Sequence, residues 1–162
     1  MTERGGQKDY AQAVYWLRIA EEKGQVEALY WLGVCYSNGW GVEKNETQAF
    51  ERYRKAAEKG HADAQLCLGY SYSEGLGVSK DLNQAAFWLQ KSVNNGVAKA
   101  NAYLAAAKKK MQEQVAKEKA HKQTIADSIA RVYEAYEDPE WKSKTKSTSI
   151  IQHYYTSPIS PI

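Results

Sequence analysis

The side chains in this sequence that could do chemistry are three histidines and two cysteines. A nucleophile needs a base beside it. However, His61, His121 and His153 are scattered, and neither cysteine has a histidine at a nearby position in the repeat register described below. Cysteines, histidines and paired carboxylates also lack the spacing of metal ligands. We therefore expect no catalytic residue, no metal site and no cofactor, so the sequence predicts a protein that is not an enzyme.

Two glycine-rich turns, at residues 39–42 and 75–78, have the pattern Gly-x-Gly-Val. Such turns can bind phosphate in front of a helix. However, no predicted strand precedes them, and neither a third glycine nor Gly-Lys-Ser/Thr follows. Because the pattern occurs twice, we interpret both turns as connectors between helices.

A basic cluster lies within residues 108–122 and could contact phosphates or an acidic membrane surface. The cluster consists of Lys108, Lys109, Lys110, Lys117, Lys119 and Lys122. These lysines surround the predicted helix rather than forming one stripe, and the cluster contains no arginine. Lysines arranged in this way usually keep a helix surface solvated. The net charge of the chain is only +3. Nucleic-acid binding through this helix therefore remains an alternative only.

The elements that position these side chains follow an internal repeat of 36 residues. The glycines at positions 24, 60 and 96 share this period, as do the alanines at 28, 64 and 100 and the leucines at 32, 68 and 104. Self-similarity at such a period is typical of helical repeat proteins.

Each repeat contains two predicted amphipathic helices. In helix A, Ala28, Leu32 and Tyr36 are spaced by four residues and share one stripe. The helix B stripe contains Ala49, Tyr53, Ala56 and Ala57 in one repeat, Ala85, Leu89, Ser92 and Val93 in the next, and Ala13, Leu17 and Ala20 near the start of the sequence. Glycine adopts a left-handed conformation freely, so Gly24, Gly60 and Gly96 are predicted to end the B helices.

The repeat places Cys35 and Cys67 at non-equivalent heights on successive A helices. Packed helices lie roughly 8–10 Å apart, whereas a disulfide needs Cα atoms within about 7 Å. We expect both thiols to be reduced.

The pattern Ala-x-x-x-Leu-Gly-x-x-Tyr-x-x-Gly-x-Gly-Val, followed by Ala and Ala-Ala-x-x-Gly, resembles the Sel1-like repeat, a relative of the tetratricopeptide repeat. The resemblance covers about residues 5–107. It implies an all-α fold, a right-handed α-solenoid of antiparallel helix pairs. It also implies an adaptor or scaffold whose A helices line a concave surface for protein partners.

The resemblance and the helical pattern predict three segments. Residues 1–107 form the solenoid, with half a repeat, two full repeats and a terminal A helix, because Gly5 aligns with Gly41 and the motif degenerates at Ala105 and Lys108. Residues 108–138 form a helical extension, and we favour one continuous helix over a break near Gln123. Residues 139–162 form an extended or disordered tail.

The surface of helix A opposite its core stripe is the best candidate for partner binding, since exposed aromatic and aliphatic side chains often provide interface hot spots. The alternative is that some of these side chains pack between repeats. The candidates are Tyr30, Val34, Asn38, Leu66, Tyr70, Glu74 and Tyr103.

The sequence thus predicts a non-enzymatic module that binds a protein or peptide. An inhibitor or immunity-type protein that blocks a partner enzyme is an alternative. The apolar, proline-containing tail could dock on its own concave face, on another copy or on the helix near residues 9–23, so homo-oligomers are possible. The sequence contains neither an apolar stretch that could span a membrane nor a secretory signal, so we expect a cytoplasmic location unless the chain belongs to an exported protein.

Overall fold

The computed structural model describes residues 9–135, and every regular element within them is an α-helix. The helices are α1 (Tyr10–Glu22), α2 (Val26–Asn38), α3 (Glu46–Glu58), α4 (Ala62–Glu74), α5 (Leu82–Asn94) and α6 (Ala100–Ala135). The predicted all-helical solenoid is confirmed. Its handedness and antiparallel pairing stay predictions. The chain divides into two compact units between Gln112 and Glu113.

In the first unit, α2 and α4 are A helices, and α1, α3 and α5 are B helices. Each B helix begins at a side-chain cap, with Asp9, Asn45 and Asp81 accepting hydrogen bonds from backbone N–H groups two or three residues later. These caps share the period of the repeat. The glycine after each B helix has positive φ, as predicted for Gly24, Gly60 and Gly96.

Most residues of the predicted stripes lie in the core. In α2 and α4 the alanine and leucine of the helix A stripe are at most 3% exposed, while Tyr36 and Tyr72 are half-buried. In α6, Ala100 is 0% and Leu104 is 6% exposed. The core also contains side chains outside these stripes, among them Leu29, Phe50 and Leu66. The stripes of α3 and α5 are also buried, apart from half-buried Val93. A Cβ placed on Gly33 would lie 2.6 Å from Cε1 of Tyr53. Therefore α2 and α3 approach closely only because this position lacks a side chain.

The connector turns contact the preceding repeat. A Cβ on Gly77, whose φ is +69°, would lie 2.2 Å from the carbonyl oxygen of Glu46 at the start of α3. Phe50 of α3 packs edge-to-face on Tyr72 of α4 at 5.3 Å. Arg52 pairs with Glu21 of α1 at 3.0 Å. Successive repeats are thus joined by backbone, aromatic and ionic contacts.

Helix α1 is less buried than the other B helices. Val14 is its one buried side chain, at 3% exposure. Ala13 is exposed, and Leu17 and Ala20 are half-buried, whereas Ala49, one repeat later than Ala13, is buried.

Helix α6 runs without interruption from Ala100 to Ala135. The prediction of one continuous helix is confirmed over these residues, and the alternative of a break near Gln123 is wrong. The Thr124 hydroxyl donates to the Ala120 carbonyl oxygen at 3.0 Å, so it bonds within the helix instead of capping a new one. The predictions for Gly5, for the end of the helical extension and for the 139–162 tail lie outside the described residues.

Candidate protein-binding surface

Tyr30 is held by the start of the next A helix. Its ring stacks on His61 with centroids 4.6 Å apart. His61 caps α4, because its Nδ1 accepts from the Ala64 N–H at 3.2 Å, and its Nε2 lies 2.9 Å from Glu27 Oε2. The His61 side chain is only 13% exposed. Burial is the main cause of the raised pKa of Tyr30.

Trp31 is an exposed aromatic residue of α2 that the sequence analysis did not select. Its side chain is 45% exposed, and Nε1 donates to Glu27 Oε1 at 3.0 Å. It precedes Tyr103 by two repeat lengths. This register could have identified it, because both positions carry aromatic side chains on A helices.

The other two candidates on α2 differ in exposure. Val34 is half-buried and packs against the core. Asn38 is exposed, and its side-chain amide donates to the Val34 carbonyl oxygen at 2.8 Å. Asn38 can thus contact a partner, while Val34 mainly supports the surface.

Leu66 lies in the interior of the first unit. It is 8% exposed and packs with Leu89, Ala100 and Leu104. The hydrophobic cluster extends onto α6, which covers the flank of α4 that carries Leu66. Leu66 can therefore act in binding only by supporting its neighbours.

Tyr70 and Tyr103 form an exposed aromatic pair between successive A helices, α4 and α6. Their ring centroids are 5.5 Å apart with an interplanar angle of 76°, an edge-to-face arrangement. Tyr70 is 40% exposed and Tyr103 is 41% exposed. The pair thus retains apolar area for a partner while each ring is positioned by the other.

Glu74 pairs with Lys110 near the C-terminal end of α4. The hydrogen bond from Lys110 is the main cause of the lowered pKa of Glu74. The Glu74 carboxylate is therefore paired with an opposite charge.

Neither cysteine is activated as a nucleophile. Burial is the main cause that raises the pKa of the Cys67 thiol to about 11, and it also raises the pKa of Cys35. A high pKa leaves little thiolate, the nucleophilic form, at neutral pH. Both cysteines are free thiols. Within residues 9–135, no group of three or more His, Cys, Asp or Glu side chains could hold a metal ion.

Three stretches of the chain, residues 2–25, 26–61 and 62–97, match the Sel1 repeat, and together they cover more than half of it. The chain belongs to the Sel1 repeat family. Sel1 repeat proteins generally act as non-catalytic modules for protein–protein interaction. No curated protein matches this Sel1 repeat chain.

Solved structures similar to this Sel1 repeat chain include three bacterial proteins. One is a protective antigen present in uropathogenic Escherichia coli strains that displays an SLR fold, 37% identical with a TM-score of 0.62, in a match covering 66% of this chain and 23% of that one. A Sel1 repeat protein from Oxalobacter formigenes is 37% identical with a TM-score of 0.58, covering 62% and 40%. Helicobacter pylori cysteine rich protein B is 31% identical with a TM-score of 0.54, covering 56% and 68%. This chain therefore spans less than half the length of the first two.

Among the described helices of the Sel1 repeat chain, none is both long enough and apolar enough to cross a membrane. Among the lysines of the 108–122 cluster, Lys110 is engaged with Glu74, and the side chains of Lys108, Lys117, Lys119 and Lys122 are exposed.

Proposed function

We propose that this chain binds a protein or peptide partner through the surface of its A helices and does no chemistry itself. The observation that carries the proposal is the half-exposed Tyr70–Tyr103 pair, which joins two successive A helices. Membership of the Sel1 repeat family supports it.

Aromatic side chains suit this role because they bury a large area at a small cost in conformational entropy. The rings of Tyr70 and Tyr103 already restrict each other, so binding a partner orders them little further. Trp31 adds a third exposed ring on α2, oriented by its hydrogen bond to Glu27. We define these three aromatic residues as the A-helix aromatic surface.

The remaining candidates take supporting or peripheral roles in this proposal. Tyr30, Val34 and Leu66 pack beneath the surface and fix the A helices. Asn38 and Glu74 provide polar contacts at its edge, where hydrogen bonds select among partners more than they add affinity. We also propose that this surface is concave.

The proposed division of the chain assigns recognition to residues 1–107. The helical extension 108–138 and the tail 139–162 then lie outside the recognition module. The last matched repeat ends at residue 97, and α6 begins at Ala100, which supports a terminal A helix after two full repeats.

The test compares Tyr70→Ala/Tyr103→Ala with Phe87→Ala, a control that removes a ring exposed at 50% from helix B α5. A partner is first captured with the intact chain, identified by mass spectrometry and purified, and its affinity is then measured by calorimetry. Since a hot-spot truncation costs about 2 kcal/mol or more, we expect the double variant to bind at least about tenfold more weakly. The control should bind as the wild type does.

Circular dichroism must show the same helicity for all three proteins. Unchanged affinity in the double variant would place the interface elsewhere. An equal loss in Phe87→Ala would show that the A helices have no special role.

A further inference from the structure

In the second unit, the part of α6 after Gln112 carries exposed aliphatic side chains. Val115 is 64% exposed, Ile125 40%, Ile129 38% and Val132 59%. Solvent-exposed β-branched residues of this size on one helix are candidates for contact with another helix.

These residues have the spacing of a coiled coil. From Met111 the steps along α6 alternate between four and three residues, and the helix is unbroken throughout. This is the a/d pattern of a heptad repeat, whose period of 3.5 residues keeps one stripe against a partner helix. The α6 seam consists of Met111, Val115, Glu118, Lys122, Ile125, Ile129 and Val132.

The middle of the α6 seam contains two opposite charges, Glu118 and Lys122, and both side chains are exposed. In a parallel pair of identical helices, each charge would face its own copy, which is unfavourable. In an antiparallel pair whose two-fold axis lies at the height of Ala120 along the helix, Glu118 of each copy faces Lys122 of the other. The same register places Val115 opposite Ile125 and Met111 opposite Ile129.

We propose that the α6 seam binds the α6 seam of a second copy of this chain as an antiparallel two-helix coiled coil. The charge complementarity selects the second copy as the occupant, because one two-fold axis at Ala120 satisfies both ionic pairs and the apolar pairs beside them. The positions on the side of the helix opposite the seam are Glu113, Ala120 and Asp127. These residues are small or polar, so this side of the helix can face solvent in the dimer. The dimer carries two sets of Sel1 repeats and can bind two partner sites at once.

The first test measures mass against concentration by sedimentation equilibrium with the full chain. The wild-type mass should rise from 18.3 kDa towards twice that value as the concentration increases. Ile125→Lys/Ile129→Lys places two charges in the seam and should remain monomeric over the same range. The matched control, Ala116→Lys/Ala120→Lys, adds the same two charges at exposed positions away from the seam and should dimerise as the wild type does.

The second test reverses the central charges. Glu118→Lys places a lysine opposite Lys122 of the other copy twice per dimer, so we expect the dissociation constant to rise at least about tenfold. Lys122→Glu should have a similar effect. Only in the antiparallel register does combining the two substitutions restore opposite charges, and the double variant should return to within about threefold of the wild type.

Cysteine cross-linking determines the orientation. Positions 115 and 125 are about 15 Å apart along one helix, too far for a disulfide within one chain. On mild oxidation, Val115→Cys/Ile125→Cys should form covalent dimers, whereas Val115→Cys alone should not. Cys35 is 6% exposed, and half-buried Cys67 has a pKa of about 11, so the native thiols contribute little background.

A wild-type mass that stays at the monomer value up to millimolar concentration would overturn the proposal. So would covalent dimers of Val115→Cys alone, which would indicate a parallel pair. If the lysine substitutions in the seam increase hydrogen exchange of α6 without changing the mass, another segment of the same chain covers the seam and the proposal is wrong. None of these outcomes bears on the A-helix aromatic surface.

Discussion

Replacement of Gly77 by alanine tests whether the connector turn joins one repeat to the next. The substitution has two costs. At a φ of +69° an alanine incurs about 1–2 kcal/mol of backbone strain. Its Cβ would also lie 2.2 Å from the Glu46 carbonyl oxygen and 2.7 Å from the Thr47 nitrogen, so the turn must move away from α3. Overpacking of this kind costs about 1–3 kcal/mol more.

Gly24→Ala is the matched control. Gly24 has a φ of +78°, but no atom lies within 4 Å of a Cβ placed there. It therefore carries the backbone strain without the steric clash. The difference between the two variants, about 1–3 kcal/mol, measures the contact between the turn of one repeat and α3 of the preceding repeat.

The assay is urea denaturation followed by helical circular dichroism, with thermal melting as a second measurement. Each kcal/mol lowers the melting temperature by about 2–4 °C in a chain of this size. Gly77→Ala should also broaden the transition, because a weakened interface lets neighbouring repeats unfold separately. Equal destabilisation by the two substitutions would refute the steric contribution of the inter-repeat contact.

Three further predictions follow from single contacts. Because the pKa of Glu74 is lowered, its pairing with Lys110 stabilises the fold above the ordinary pKa of a glutamate and is lost as pH falls through the lowered value. Glu74→Gln should thus destabilise the protein more at pH 7 than at pH 3, as urea denaturation at both pH values will show. Ser92→Ala removes a fully buried hydroxyl that donates to the Ala62 carbonyl oxygen at 2.8 Å. The substitution should lower the free energy of unfolding by about 1 kcal/mol. A stability equal to that of the wild type in urea denaturation would contradict this. Cys67 is half-buried and its pKa is about 11, so it should react with a thiol reagent at neutral pH more slowly than a free thiol, and labelling at the rate of a free thiol would contradict this.

The repeat made most of the fold predictable. Ala28 and Leu32 recur with the period of the repeat, and a stripe of this kind must be buried wherever helices stack. The exception was α1, where Ala13 is exposed although its equivalent Ala49 is buried. The sequence pattern identifies the apolar face of a helix, but burial requires another helix against that face.

The candidate surface was less predictable, because helical periodicity assigns a face but not the neighbour that covers it. Leu66 was placed opposite the core stripe, yet it is buried because α6 covers that flank of α4. The sequence assigned no partner to His61, yet its ring has three contacts, with Tyr30, Glu27 and the backbone of Ala64. These contacts connect α2 with the start of α4 and leave no pattern within either helix.

The docking of the Gly77 turn on the first residues of α3 has a consequence for how such a protein can lengthen. The residues at the start of α5, Leu82 and Asn83, stand one period after Glu46 and Thr47 and so present the equivalent backbone. A tandem duplication of residues 62–97 would bring a second copy of the turn to this site without changing the contacts among α1, α2 and α3. Growth by whole units would then add one A helix at a time to the proposed binding surface, and the length of partner that this surface can contact would increase in steps.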